Sequence, residues 1–381
     1  MSFEKKEEHT PKLISSGAGE IEIRGEFASW SLAVEQTTPQ PDTELIRLRL
    51  ESASPAVPPH LVLTWSIPKV DMQISWSEGK WFSHNIPPNW SAYNQSSLAS
   101  SLPLLFLADQ QGENRLLFAV SDALRPVGVK AGVREEDCQI ECAVELFREP
   151  EAPCSFCEVE LRLDFRKIFY ADAIRDTMEW FGKFKECVPA PIPAAAFEPV
   201  YSSWYSYHKN VSDRKLEAEC IQAREYGMKT LILDDGWQTD DIHRGYRFCG
   251  DWEISTKCFP DMKAHVEKIH ELGMKYLIWF SLPFIGDASR NRKYFQGKFL
   301  YRLEQQKTSV LDPRFPEVRE FLIGTYEKAL REWNLDGFKF DFIDSFRFQG
   351  EDPAVAENYA GRDIRALPEA VNRLLTDIMN R

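Results

Sequence analysis

The sequence predicts a multidomain β plus α/β protein: an antiparallel β domain, then a parallel segment with the strand–helix alternation of a (β/α)8 barrel. Three observations carry this. Residues 1–188 are filled by short alternating or wholly apolar runs, separated by clusters of Pro, Gly, Ser and Asn. Residues 197–381 alternate strand-length apolar runs with helix-length amphipathic ones. Between them, CVPAPIPAAAFEP carries three closely spaced prolines that cannot be helical, which sets a linker at 189–196.

In the β domain, IEIRGEFASWSLAVEQ, TELIRLRLES, HLVLTWSI, RLLFAVSD, QIECAVELF and CEVELRLDF read as strands of a sandwich or larger double sheet. One connection, WSEGKWFSHNIPPNWSAYNQSS, holds Trp76, Trp81, Trp90 and Tyr93 among polar residues and prolines. Loop aromatics of this kind stack on sugar rings, and they also plug domain interfaces. YADAIRDTMEWFGKF then predicts a helix with an apolar stripe at Ala173, Ile174, Met178, Trp180 and Phe181.

Past the linker, VYSSWYSYH, KTLILDDGW, KYLIWFSLPFIG and LDGFKFDFIDSF read as strands. The stretches KLEAECIQAREYGM, FPDMKAHVEKIHELGM, PEVREFLIGTYEKALREWN and ALPEAVNRLLTDIMNR read as helices, several with Pro near the start or Gly near the end. Four βα units in this order make a parallel sheet with right-handed crossovers. No GxGxxG or P-loop follows a strand, so a nucleotide has no backbone cradle. In a barrel, side chains at the C-terminal strand ends converge. Those ends carry Trp204 with Tyr205, then Asp234, Asp235 and Trp237, then Trp279, then Lys339 and Asp341. Carboxylates, a lysine and indoles suit a neutral polyol better than a metal, because charged groups hold hydroxyls and indoles pack on the ring. A buried ion pair that only stabilises is the competing reading of Lys339 and Asp341.

Composition bounds the partners. The 381 residues suffice for two cores, and 43% hydrophobic with 28% charged residues excludes wholesale disorder. With 46 Lys and Arg against 59 Asp and Glu, the formal charge of −13 offers nucleic acid or an anionic membrane no basic stripe. The start, MSFEKKEEHT, leads into no apolar run, and no stretch approaches a spanning helix, so the expected location is cytoplasmic. Eight cysteines are then expected as reduced thiols. Cys138, Cys142, Cys154 and Cys157 have the pairwise spacing of a zinc site, but their segments alternate like strands; no metal is assigned.

The run LILDDGWQTDDIHRGYRFCGDWEISTKCFPDMKAHVEKIHELGMKYLIWF, followed by LDPRFPEVREFLIGTYEKALREWNLDGFKFDFID, resembles family 36 glycoside hydrolases, the bacterial α-galactosidases. The resemblance covers about residues 198–345 and rests on DDGW, GDW, the turn CFPD and KFD in order. It implies a β-supersandwich followed by a (β/α)8 barrel, acting as a retaining α-galactosidase on α-galactoside oligosaccharides without a cofactor. By motif, Asp341 is implied as the nucleophile and Lys339 as a sugar ligand that lowers its pKa. Asp234 and Asp235 are implied to grip hydroxyls, while Trp204, Trp237, Trp252 and Trp279 line or support the pocket.

Family members usually read KWD with Asn two positions on; here Phe340 and Ile343 stand in those places, with Asp344 following. N-acetylgalactosamine and galactosyl transfer are therefore open variants, and a non-catalytic carbohydrate-binding or assembly module is the alternative from another class. Four units are half of a (β/α)8 barrel, and the family's acid/base aspartate lies on a later strand. The chain is thus expected to be the first half of a longer enzyme, unable alone to turn over an α-galactoside. Its uncovered sheet edges make a homo-oligomer the alternative to a monomer.

Overall fold

The computed structural model describes residues 11–78, 84–149, 151–187, 190–354 and 359–381. The chain divides into two compact units between Pro189 and Ala190.

The first unit is two six-stranded antiparallel sheets. One runs in the order Lys12–Ser16, Gly19–Gly25, Leu61–Pro68, Gln139–Leu146, Val127–Arg134, Asn94–Ser96. The other runs Trp30–Gln40, Thr43–Ala56, Cys154–Asp164, Asn114–Val120, Leu104–Ala108, Ile74–Ser77. Period-two alternation decides what faces inward: Leu61, Leu63, Trp65 and Ile67 are buried, while the residues between them are half-buried. They join Ile46, Leu48, Phe118 and Leu161 in one core. Strand Leu104–Ala108 is instead buried at all five positions, because helix Tyr170–Phe181 covers the sheet's other face. Ala173, Trp180 and Phe181 pack there on Phe106, Leu117 and Ala119.

That helix is rotated slightly from the expected stripe. Met178 is exposed, and Thr177 is buried in its stead, its hydroxyl donating to the Ala173 carbonyl at 2.8 Å. A threonine reads as polar in sequence, but bonding back to the preceding turn lets it sit inside. The loop aromatics have separate fates. Trp76 packs on Phe106 with ring centroids 5.6 Å apart, Tyr93 lies beneath the Lys130 ammonium, and Trp90 is exposed; Trp81 lies outside the described residues.

The second unit is built on a four-stranded parallel sheet ordered Val200–Ser202, Thr230–Leu233, Lys275–Ser281, Gly337–Asp341. Its longer helices are Asp213–Glu225, Met262–Glu271, Pro316–Trp333 and Leu367–Asn380. Local chemistry sets their starts: Ser212 and Asp261 accept backbone N–H groups of the first turn, and Pro316 opens the third helix. No helix among the described residues is long and apolar enough to cross a membrane.

Three expectations need correction. VYSSWYSYH is a strand only through Ser202; Ser203–Tyr207 is a short helix, so Trp204 and Tyr205 are helical. KYLIWFSLPFIG is two strands, because the chain turns at Leu282 and Pro283. Phe284–Gly286 then enters a separate three-stranded antiparallel sheet with Thr308–Leu311 and Phe299–Leu303. Finally, LDGFKFDFIDSF leaves the sheet at Phe342, whose backbone is left-handed (φ 63°), and Ile343–Ser345 is a 3-10 turn. Asp344 lies on that turn, and the next α-helix among the described residues begins at Leu367.

Candidate active site

Strand register brings the charged residues together. In the parallel ladder Trp279 is level with Lys339 and Ser281 with Asp341, so these side chains share one face. The opposite face, with Tyr276, Ile278 and Phe280, is fully buried. There Phe338 and Phe340 pack on Tyr326 of the third helix, at 5.8 and 4.6 Å between centroids. Alternation thus sends the aromatics of FKFDF outward and leaves Lys339 and Asp341 on the inner side.

Lys339 bridges two carboxylates: its ammonium donates to Asp234 Oδ2 at 2.7 Å and lies 3.5 Å from Asp341 Oδ2. Burial works against its charge, but the hydrogen bond and attraction of Asp234, with the attraction of Asp341, carry its pKa above the ordinary lysine value. Asp341 also accepts the Trp279 indole N–H at 3.1 Å and the Phe342 backbone N–H at 2.9 Å. Its side chain retains 38% exposure against 3% for Asp234, so the cluster is closed at Asp234 and open at Asp341.

Asp235 stands one layer behind. Its backbone N–H donates to Asp234 Oδ1 at 2.9 Å, while the Asp234 N–H donates to Ser203 Oγ at 2.9 Å. Gln238 donates to Asp235 Oδ1 at 2.8 Å, and the Lys209 ammonium lies 3.4 Å from Oδ2. Burial raises the Asp235 pKa, opposed by Lys209 and Gln238. The expectation that both aspartates meet hydroxyls asks for open oxygens, yet Asp234 is only 2% and Asp235 1% exposed. Lys209 and Tyr246 were not found from the sequence. Lys209 donates to the Gly245 carbonyl at 2.7 Å, and Tyr246 packs edge-on to Phe342 at 4.9 Å. The signal for Lys209 was present but faint: Gly236 in DDGW has φ 120°, and a Cβ there would lie 2.5 Å from the Lys209 carbonyl oxygen.

The tryptophans divide. Trp279 touches Asp341 directly, while fully buried Trp237 donates its N–H to the Trp279 carbonyl at 2.9 Å and supports from behind. Trp252 packs on Trp237 and Phe280, with its indole N–H buried and unpaired. Trp204 is half-buried with its ring on His208, 4.0 Å between centroids. Among the described residues, no three His, Cys, Asp or Glu side chains are placed to hold a metal.

Residues 193–366 match the family model described as Melibiase. The second unit is a melibiase domain. The α-galactosidase Mel36A of Lactobacillus acidophilus is 25% identical over 186 residues, which is 46% of this chain and 25% of that protein. An α-xylosidase of Emericella nidulans is 27% identical over 192 residues, covering 45% of this chain and 23% of that one. In fold, the chain resembles the family 36 α-galactosidase AgaA of Geobacillus stearothermophilus, solved in complex with raffinose. The TM-score is 0.63 at 14% identity, over 95% of this chain and 54% of that one. This chain therefore spans only about half the length of that structure, and its matched part a quarter of Mel36A. The likeness to AgaA extends through the sandwich, whereas the melibiase match begins at residue 193.

Proposed function

We propose that the melibiase domain holds the terminal sugar of α-galactosides, with Asp341 as the nucleophile of a retaining glycosidase. The observation that carries this is the half-open Asp341 carboxylate, fixed by two N–H donors and neighboured by an ammonium. A nucleophilic carboxylate must be aimed before substrate arrives, and the Trp279 and Phe342 N–H groups hold it in place. Lys339 meets the sugar hydroxyls, buried Asp234 holds its ammonium, the Asp235 backbone N–H holds Asp234 from behind, and half-buried Trp204 offers a ring face while buried Trp279 fixes Asp341. Raffinose in the AgaA complex and the α-galactosidase relatives support galactose; the α-xylosidase relative supports the reaction class more than the sugar.

A retaining mechanism needs a second carboxyl group about 5 Å from the first. Asp234 is committed to Lys339, and Asp344 is exposed on the turn beyond Phe342. We assign the acid/base role to no residue of this chain. Calorimetry with galactose tests the binding half: the wild-type chain binds and Lys339→Met weakens binding at least tenfold. An activated aryl α-galactoside such as the nitrophenyl glycoside, whose leaving group needs no proton, tests the chemistry. Any turnover must vanish in Asp341→Ala, and turnover that survives this change removes Asp341 from the role.

A further inference from the structure

The sandwich contains a cysteine pair that the sugar site does not use. Cys154 and Cys157 open the strand Cys154–Asp164 with their sulfurs 3.2 Å apart. In a regular strand, residues three apart point to opposite faces. Here the pairing slips: Cys154 is opposite Ala56, but Phe156 is opposite Glu51 and Cys157 opposite Leu50. This irregularity turns Cys154 to the side of Cys157, and both join the sandwich core. Cys142 lies in the other sheet and Cys138 is exposed, so no third thiol completes a metal site.

We propose that Cys154 and Cys157 form a reversible dithiol–disulfide site, oxidised by exchange with small-molecule disulfides. Cys154 is half-buried and is the entering thiol; Cys157 is buried and resolves. The Cys154 thiolate attacks a disulfide R–S–S–R, forming a mixed disulfide and releasing one RSH. Cys157 then attacks the Cys154 sulfur, closing the internal disulfide and releasing the second RSH. The two protons lost by the cysteines end on the two released thiols. Burial, with the hydrogen bond to Cys154, pushes Cys157 up to about 12, so it waits as a neutral thiol until the mixed disulfide is beside it. The Arg125 cation, which pairs with Glu151 at 3.6 Å, opposes the effect of burial at Cys157.

The test uses the full chain, folded, in buffer with oxidised glutathione. The expected product has lost the mass of two hydrogens and two of its eight thiols, with peptide mapping joining Cys154 to Cys157 and dithiothreitol restoring both. Cys157→Ser, lacking the resolving sulfur, should instead accumulate a stable glutathione adduct on Cys154. Retention of all eight thiols by folded protein overturns the proposal, as does a persistent wild-type adduct or a disulfide through Cys138. Far-UV circular dichroism of oxidised and reduced samples establishes that exchange occurs in the native sandwich.

Discussion

Two sheets of this chain, one in each unit, are finished differently. In the sandwich, strand Leu104–Ala108 has no exposed position, since core and helix cover both faces. In the melibiase domain, Leu231, Leu233, Tyr276, Ile278 and Phe280 are buried under the helices; on the inner side Trp279 and Ser281 are buried too, while Ser202, Ile232, Leu277, Gly337 and Lys339 are half-open. A face sealed on both sides accepts a charge only when it is paired, as buried Arg162 is with Asp164 at 2.9 Å, because an unpaired charge there is costly. A face left partly open can carry a lysine between two carboxylates, with water and mutual pairing limiting the cost. Chemistry has thus collected where packing was left unfinished.

Substitutions can sharpen that contrast, beginning with the largest effect. Phe280→Ala on the sealed side should cost about 3–5 kcal/mol in urea unfolding. Leu277→Ala on the half-open side should cost under about 2 kcal/mol, since less apolar surface returns to water. Equal costs would mean that the inner face is as tightly packed as the outer.

The units should also answer pH with opposite signs. In the sandwich, burial raises Glu151 from 4.5 to about 7. The folded state then holds a proton that the unfolded state has released, so stability falls as pH rises from about 4.5 through 7. Full ionisation forfeits about 3 kcal/mol, by the linkage between pKa and stability. Glu151→Gln should flatten that slope in denaturation curves taken from pH 5 to 8; an unchanged slope would exonerate Glu151.

A smaller effect of opposite direction belongs to the melibiase domain. Burial lowers the pKa of His265, outweighing its hydrogen bond to Glu217. The unfolded state binds the proton more readily, so this contribution is complete above the unfolded value and is lost as pH falls below about 6.5. His265→Gln should weaken the acid dependence seen by tryptophan fluorescence, and a steeper dependence would contradict the sign.

Much of the site was legible because strand ends speak plainly: DDGW and KFD place charges where apolar runs stop, and the structure brings Lys339 to Asp234 as well as to Asp341. The separate antiparallel sheet was not legible, since KYLIWFSLPFIG is apolar throughout and only Pro283 hints that the chain changes sheets. Lys209 was hidden for another reason. Its place depends on a glycine twenty-seven positions later and on the strained backbone of His208, at φ 52°. Local pattern holds only the glycine of DDGW as a faint trace of such an encounter. Asp235 shows the same limit: adjacency in DDGW suggests shared partners, but folding turned one carboxylate to Lys339 and its neighbour to Lys209.

Phe342 carries two demands on one codon. Its left-handed backbone would be relieved by glycine or asparagine, at a gain of about 1 kcal/mol. Its ring, stacked on Phe284 at 4.7 Å and edge-on to Tyr246, would then be lost from the wall beside Asp341. Selection for thermal tolerance and selection for the proposed sugar binding would therefore drive this position toward different residues. A library varied only at 342 and sorted both ways would separate into two populations, one small and one aromatic.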